Sequence, residues 1–167
     1  MRESDFNQLS HELNKKNLKR AEVSIARYCT YQERTIMQVR EKLESMGISG
    51  EDSVNIINKM ISDGFINEQR YAIAFTLGKL NQNKWGRIKI SHVLRQKGIN
   101  NILIESAFSD FGEDKYKDLI KKLVRRKSQE LKDIPVYIKK NKIARFLIAK
   151  GFESELIWNI IARECSE

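Results

Sequence analysis

Seven basic side chains, Arg70, Lys79, Lys84, Arg87, Lys89, Arg95 and Lys97, lie between Gln69 and Ile104 with no acidic residue among them. Residues 115–150 add thirteen, Lys115, Lys117, Lys121, Lys122, Arg125, Arg126, Lys127, Lys132, Lys139, Lys140, Lys142, Arg145 and Lys150, against only Asp118, Glu130 and Asp133. Fixed positive charge at this density attracts phosphate groups, and a stripe of it can track a nucleic-acid backbone. Across all 167 residues, 31 Lys+Arg face 22 Asp+Glu, for a net charge of +9 and a pI near 9.6. The surplus is uneven: residues 1–66 hold ten basic and ten acidic residues, 67–112 seven and three, and 113–167 fourteen and nine. A polyanionic partner is therefore expected to meet the chain beyond residue 66.

Bond-making chemistry finds no comparable foothold. His11 and His92 have no second histidine or cysteine at ligand spacing, and Cys29 and Cys165 match no metal pattern, so reduced thiols and no metal are expected. The carboxylate pairs Glu51-Asp52 and Glu113-Asp114 fall where helices are expected to start, and the helix dipole explains negative charge there more simply than acid–base catalysis does. No phosphate-cradling glycine loop and no nucleophile elbow occurs, so neither enzyme activity nor a cofactor is expected. The leading residues lack a signal-peptide apolar run, and no stretch is long and apolar enough to span a bilayer. A soluble cytoplasmic protein with no membrane contact, and a monomer, is the expectation.

The elements that hold these charges follow from composition and period. With 41% hydrophobic residues the chain can fold, and one proline and eight glycines leave too little punctuation for many short strands, so an all-α chain is expected. Three segments repeat: VREKLESMGI around Leu43, ISHVLRQKGI around Leu94 and IARFLIAKGF around Leu147. Each leucine follows an aliphatic residue by four positions (Val39, Ile90, Ile143) and precedes a glycine by four (Gly47, Gly98, Gly151). Ile48, Ile99 and Phe152 come next, then the pairs Ile56-Ile57, Ala107-Phe108 and Ile160-Ile161. Four-residue apolar spacing marks one face of a helix, and the glycine supplies a left-handed cap. Upstream amphipathic stretches carry Leu18, Val23, Ile25 and Tyr28 in the first unit, Tyr71, Ala72, Phe75 and Leu77 in the second, and Tyr116, Leu119, Ile120 and Leu123 in the third.

The reading is a tandem array of three three-helix repeats, elongated and curved. It divides into a polar N-terminal segment at 1–17 with a weak Phe6, Leu9, Leu13 spacing, then repeats at 18–66, 67–112 and 113–167. Thr30 with Glu33 fits a capping box for the helix carrying Val39 and Leu43. Asn67 with Glu68, and Asn100 or Asn101, suit the starts of two later helices. Loops are expected at 81–85 and 131–135. Lys97 and Lys150 each precede a turn glycine, and Arg95 and Lys42 flank repeat leucines, which places charge at equivalent positions of stacked units. Trp85 could stack on a base, but packing is the favoured reading.

Three stretches carry a specific resemblance. DGFINEQRYAIAF (63–75), WGRIKISHVLRQKGI (85–99) and ARFLIAKGF (144–152), in this order and spacing, resemble the RecX family of bacterial recombinase regulators. The likeness extends over roughly residues 18–165. Two departures stand out: Asn67-Glu68 replaces the family's common Asp-Asp, and CTYQERTIMQVREKL (29–43) has Thr30 where the family usually shows serine.

The resemblance implies a curved three-repeat protein that binds the RecA recombinase. It would lodge in the groove of the RecA filament on single-stranded DNA, limit extension, promote disassembly, and suppress strand exchange, ATP hydrolysis and the co-protease activity of the SOS response. Contact with single-stranded DNA itself is expected to be weaker or indirect. The candidate contacts are Arg70, Lys84, Arg87, Lys89, Arg95, Lys97, Lys121, Lys122, Arg125, Arg126, Lys142 and Arg145. Val39, Leu43, Ile90, Leu94, Ile143, Leu147 and the three turn glycines are expected to be architectural. Two other readings of the charge and repeats stand beside this one: a sequence-nonspecific DNA- or RNA-binding helical protein, and a helical scaffold for another acidic protein.

Overall fold

The computed structural model describes residues 3–164. These form nine α-helices and no strand: α1 (Glu3–Tyr31), α2 (Ile36–Ser45), α3 (Gly50–Ser62), α4 (Glu68–Gly78), α5 (Arg87–Gln96), α6 (Asn101–Phe111), α7 (Glu113–Glu130), α8 (Val136–Ala149) and α9 (Ser154–Glu164). A π-helical turn, Lys79–Asn83, follows α4 where a loop was expected, and residues 131–135 are the expected connection into α8. The chain is thus an all-α array of helical repeats. It divides into two compact units, Met1–Tyr71 and Ala72–Glu167.

In the first unit α1, α2 and α3 pack on one another. Ala21, Ile25 and Cys29, spaced by four, form the buried stripe of α1, against Val39 and Leu43 of α2 and Ile56, Ile57 and Met60 of α3. Burial pushes the Cys29 thiol above its ordinary pKa, which makes it a small core hydrophobe; Cys165 lies outside the described residues. Val23, expected in this core, is 54% exposed because it sits two positions from Ile25, on the opposite side of the helix. Nothing breaks α1 between Glu3 and Leu18, so the polar leading segment is the start of that helix rather than a separate element.

In the second unit the four repeat aliphatics behave as their two counterparts do in the first. Val39, Leu43, Ile90, Leu94, Ile143 and Leu147 are all fully buried. α5 packs on α6, and α7, through Tyr116, Ile120, Leu123 and Val124, lies against α6, α8 and α9. The turn glycines close each middle helix with the same two hydrogen bonds, the first from the glycine N–H to the carbonyl three residues back, Glu44, Arg95 and Ile148 respectively. Gly47, Gly98 and Gly151 have φ of 77°, 83° and 86°. The Ile48, Ile99 and Phe152 N–H groups donate to the carbonyls of Leu43, Leu94 and Leu147 at 3.0, 3.1 and 3.1 Å. The repeat leucine therefore fills the core with its side chain and anchors the turn with its carbonyl.

One helix start corrects the sequence reading. Thr30 is inside the last turn of α1, where its Oγ1 donates to the Ala26 carbonyl at 2.8 Å. The capping box belongs to Thr35 and Gln38: Gln38 N–H donates to Thr35 Oγ1 at 3.2 Å, and Thr35 N–H donates to Gln38 Oε1 at 3.1 Å. α1 continues through Thr30 to Tyr31, and α2 starts five residues later than a Thr30 cap would place it. Asn67 and Asn100 do cap, through Arg70 N–H and Leu103 N–H, each at 2.9 Å.

Thr35→Ala is expected to lose about 1 kcal/mol of stability, and Thr30→Ala less than about 0.5 kcal/mol. Gly47→Ala has open space around the new Cβ, so only the left-handed backbone resists it. Its cost should be about 1 kcal/mol. Urea denaturation of the three variants checks all three values.

Candidate functional site

The first N–H groups of a helix have no partner within it. At the start of α5 three of them are satisfied from α7 and the α8 turn. Gly86 N–H donates to the Lys150 carbonyl at 2.8 Å and Ile88 N–H to the Gly151 carbonyl at 3.0 Å. Between them, Arg87 N–H donates to the Tyr116 hydroxyl at 3.0 Å. The electronegative end of α8 thus meets the electropositive end of α5. Backbones approach so closely that a Cβ on Gly86 would lie 2.2 Å from the Gly151 oxygen, and one on Gly151 would lie 2.4 Å from the Lys89 Cβ.

A polar network finishes this junction. Tyr116, fully buried, donates its hydroxyl proton to Glu153 at 2.6 Å. Burial, and then the bond to Glu153, push the phenol far above its ordinary pKa, so it stays neutral and keeps that proton. Arg87 pairs with Glu113, and with Glu153 at 3.6 Å. Its guanidinium stands 4.0 Å from the Tyr116 ring centre and 5.6 Å from that of Phe108. The hydrogen bond from Arg87 holds the Glu113 carboxyl below the usual carboxylate range. Glu113 stands in the first turn of α7, where the helix dipole favours negative charge, and is also an ion-pair partner.

The first unit has an equivalent arrangement. Glu68 opens α4 as Glu113 opens α7, and Glu68 accepts the Ile36 N–H at the start of α2 at 3.1 Å. Arg70 forks onto Glu33 at 2.9 and 3.3 Å and onto the Gly64 carbonyl at 2.9 Å. In both cases a carboxylate on the first residue of the following helix triplet faces the start of the preceding middle helix.

These contacts divide the twelve candidate residues. Arg70 and Arg87 brace junctions. Arg125 pairs with Glu164, Arg126 with Glu130 at 3.8 Å, Lys121 with Asp118 at 3.0 Å, and Arg95 Nε donates to Asn101 Oδ1 at 2.8 Å. Lys89 lies 4.5 Å and Lys79 4.9 Å from the centre of the half-buried Trp85 ring. Lys84 donates to the Asn81 carbonyl. The side chains of Lys97, Lys122, Lys142 and Arg145 have no ion-pair or hydrogen-bond partner among the described residues. Lys84 and Lys122 come together on one cleft, joined there by Lys115. Lys150, singled out for its place before a turn glycine, is held by the Asn83 carbonyl at 3.3 Å and stands over the Phe146 ring at 5.3 Å. Tyr116 and Glu153 carry the junction through polar groups that apolar spacing alone does not reveal. The signal was the matched Glu-x-x-Tyr at 68–71 and 113–116.

No cluster of three His, Cys, Asp or Glu able to hold a metal occurs among the described residues, and no described helix is long and apolar enough to cross a membrane. What the surface offers is positive charge on a repeat scaffold.

The junction makes its own predictions. Gly86 has φ of −84°, so Gly86→Ala carries no backbone strain, yet it should cost more than about 2 kcal/mol through collision with Gly151. Gly151→Ala should exceed Gly47→Ala by a similar amount. Tyr116→Phe leaves the Arg87 N–H and Glu153 without that partner and should cost about 1–3 kcal/mol. A lowered Glu113 pKa means its pairing stabilises the fold above the ordinary carboxylate range, and that this is lost as pH falls through the lowered value. The Tm difference between the native chain and Glu113→Gln should be steady near neutrality and shrink below about pH 4.

Comparison with known proteins bears on this scaffold directly. The family model for the RecX second three-helix domain matches residues 67–107, and that for the third three-helix domain matches 113–161. The regulatory protein RecX of Bacillus cytotoxicus is 25% identical over 155 residues, 93% of this chain, and that of Bacillus cereus is 23% identical over the same length. The chain spans 57% of the length of these curated relatives. The crystal structure of RecX from Lactobacillus salivarius superposes with a TM-score of 0.83 at 27% identity, covering 90% of this chain and 97% of that one. A second crystal structure of a regulatory protein RecX gives 0.80 at 25% identity, covering 92% and 76%. With two consecutive domain models matched across more than half of its length and the same helical architecture, the chain belongs to the RecX family.

Proposed function

We propose that this chain is a non-enzymatic, cytoplasmic negative regulator of the RecA recombinase, acting on the filament that RecA forms on single-stranded DNA. The observation that carries the reading is the coincidence of RecX-family repeats with cations that no internal carboxylate neutralises: Lys97 at the end of α5, Lys122 on α7, and Lys142 and Arg145 on α8. We read the repeats as 18–66, 67–112 and 113–167, with residues 3–17 an extension of the first helix. Each repeat contributes a modest contact to adjacent filament subunits, and linkage along one chain multiplies them. Binding across neighbouring subunits limits filament extension, ATP hydrolysis, strand exchange and co-protease activity together, because all four need the intact filament.

Among the twelve candidates, those engaged inside the fold serve contact indirectly. Arg70 and Arg87 hold the helices at fixed register, and the unpaired lysines with Arg145 meet the filament. Lys89, Arg95, Lys121, Arg125 and Arg126 lie on the same helices and add to the field at short range.

The single-stranded-DNA-dependent ATPase of the cognate RecA tests the reading. Inhibition should set in below one chain per recombinase subunit, and its absence at equimolar chain would contradict the proposal. Replacing Lys97, Lys142 and Arg145 with alanine should weaken inhibition about tenfold or more with Tm unchanged, since none has a partner in the fold to lose.

A further inference from the structure

A cleft of about 300 Å³ separates the π-helical turn from α7. On α7, Lys115, Asp118, Leu119 and Lys122 recur at helical spacing, so they occupy one face, and that face forms one wall. Lys84 from the turn forms the other, and the half-buried Leu119, with the edge of the largely buried Phe111 at the end of α6, supplies the apolar lining. Three ammonium groups and one carboxylate therefore line the same small space. The carboxylate, Asp118, is already paired with Lys121 at 3.0 Å. Lys115 and Lys122 have no ion-pair or hydrogen-bond partner among the described residues, and Lys84 meets only the neutral Asn81 carbonyl. With the single carboxylate already shared with Lys121, the three ammonium groups leave a net positive field in the cleft that an anion relieves.

Backbone conformation adds a second, independent observation. Lys84 is the one non-glycine residue with positive φ among those described, at φ 55° and ψ 46°. Glycine or asparagine would take this conformation more cheaply. A lysine held there points to its ammonium as the reason, since backbone strain of this kind gathers at working sites.

We propose that this cleft is a docking site for a backbone phosphate of single-stranded nucleic acid, with the sugar or base edge on Phe111 and Leu119. Lysines act as point charges that suit phosphate in any sequence, whereas carboxylates of an acidic protein are best met by the arginine fork, and no arginine lines the cleft. An apolar floor beside the charge is what a nucleotide offers a use for and a bare anion does not. The proposal rests on the filament reading for where the strand comes from, but not for the chemistry of the cleft.

Anisotropy of a labelled oligo(dT), titrated with the full chain without recombinase across a salt series, tests it. The variant Lys84→Asn, Lys115→Gln, Lys122→Gln keeps the left-handed residue comfortable. It should bind about tenfold more weakly than the native chain and flatten the log–log salt slope by about 0.7, for the one lost phosphate contact. Removing equal charge through Lys132→Gln, Lys139→Gln and Lys140→Gln should cost clearly less. Lys84→Asn alone should weaken binding with Tm equal or higher. No binding by the native chain, equal losses in the two triple variants, or a lower Tm for Lys84→Asn would each overturn the cleft. An abasic oligomer that binds as tightly as oligo(dT) would overturn the apolar part of the assignment. The same variants in the RecA ATPase assay separate the two ideas. Strand binding that needs the cleft, with no inhibition by the native chain, sinks the filament reading alone. Inhibition with strand binding indifferent to the cleft sinks the cleft alone.

Discussion

Backbone-to-backbone closure between the α8 turn and the start of α5 is the constraint on which the second unit depends. Gly86 and Gly151 leave no room for a side chain, and the Lys150 and Gly151 carbonyls accept the N–H groups that α5 cannot satisfy itself. Each helix end would be an unsatisfied polar terminus without the other. Tyr116 and Glu153 reinforce the closure from α7 and from the segment leading into α9, so four helices share one junction. Cations on α5, α7 and α8 are thereby held at fixed separations. A partner that presents several anionic points at once gains only if those separations do not drift.

Charge is sorted by chemistry along the same lines. Arg70, Arg87, Arg95, Arg125 and Arg126 are all engaged with carboxylates, amides or carbonyls of their own chain. Lys97, Lys122 and Lys142 are not. The planar guanidinium suits fixed, forked contacts and stacking on rings, as at Arg87 over Tyr116, while the lysine ammonium suits a solvated point charge on a flexible stem. Net charge counted from the sequence treats the two alike. Among the twelve candidates the fold engages five of the six arginines and leaves Lys97, Lys122 and Lys142 free, with Arg145 and the Asp118-paired Lys121 running against that division.

Repeat spacing made much of the fold legible. Leucine and glycine at fixed intervals identified the buried residues and left-handed turns because both depend on local geometry, with apolar period setting burial and positive φ demanding glycine. Val23 escaped because a frequent core residue type lay off the stripe that Ala21, Ile25 and Cys29 define. Thr30 escaped because two threonines five apart offer the same capping chemistry, and only the length of α1 decides between them. The contact of Gly86 with Gly151, sixty-five residues on, was not legible, because it depends on tertiary placement. The candidate charges were likewise visible one by one. Which of them are neutralised at home depends on partners such as Glu113, Glu153 and Glu164, far from them in sequence.

The central claim is that the partner is a recombinase filament with its strand, rather than either component alone. Its most direct test is the affinity of the full chain, at physiological salt, for three targets in parallel: RecA filaments assembled on single-stranded DNA, the same DNA bare, and RecA without DNA. The account predicts filament binding at least about tenfold tighter than binding to either component, since only the filament presents repeated contacts at fixed spacing. Equal affinity for bare DNA and filament would contradict it and make the chain a nucleic-acid-binding protein first.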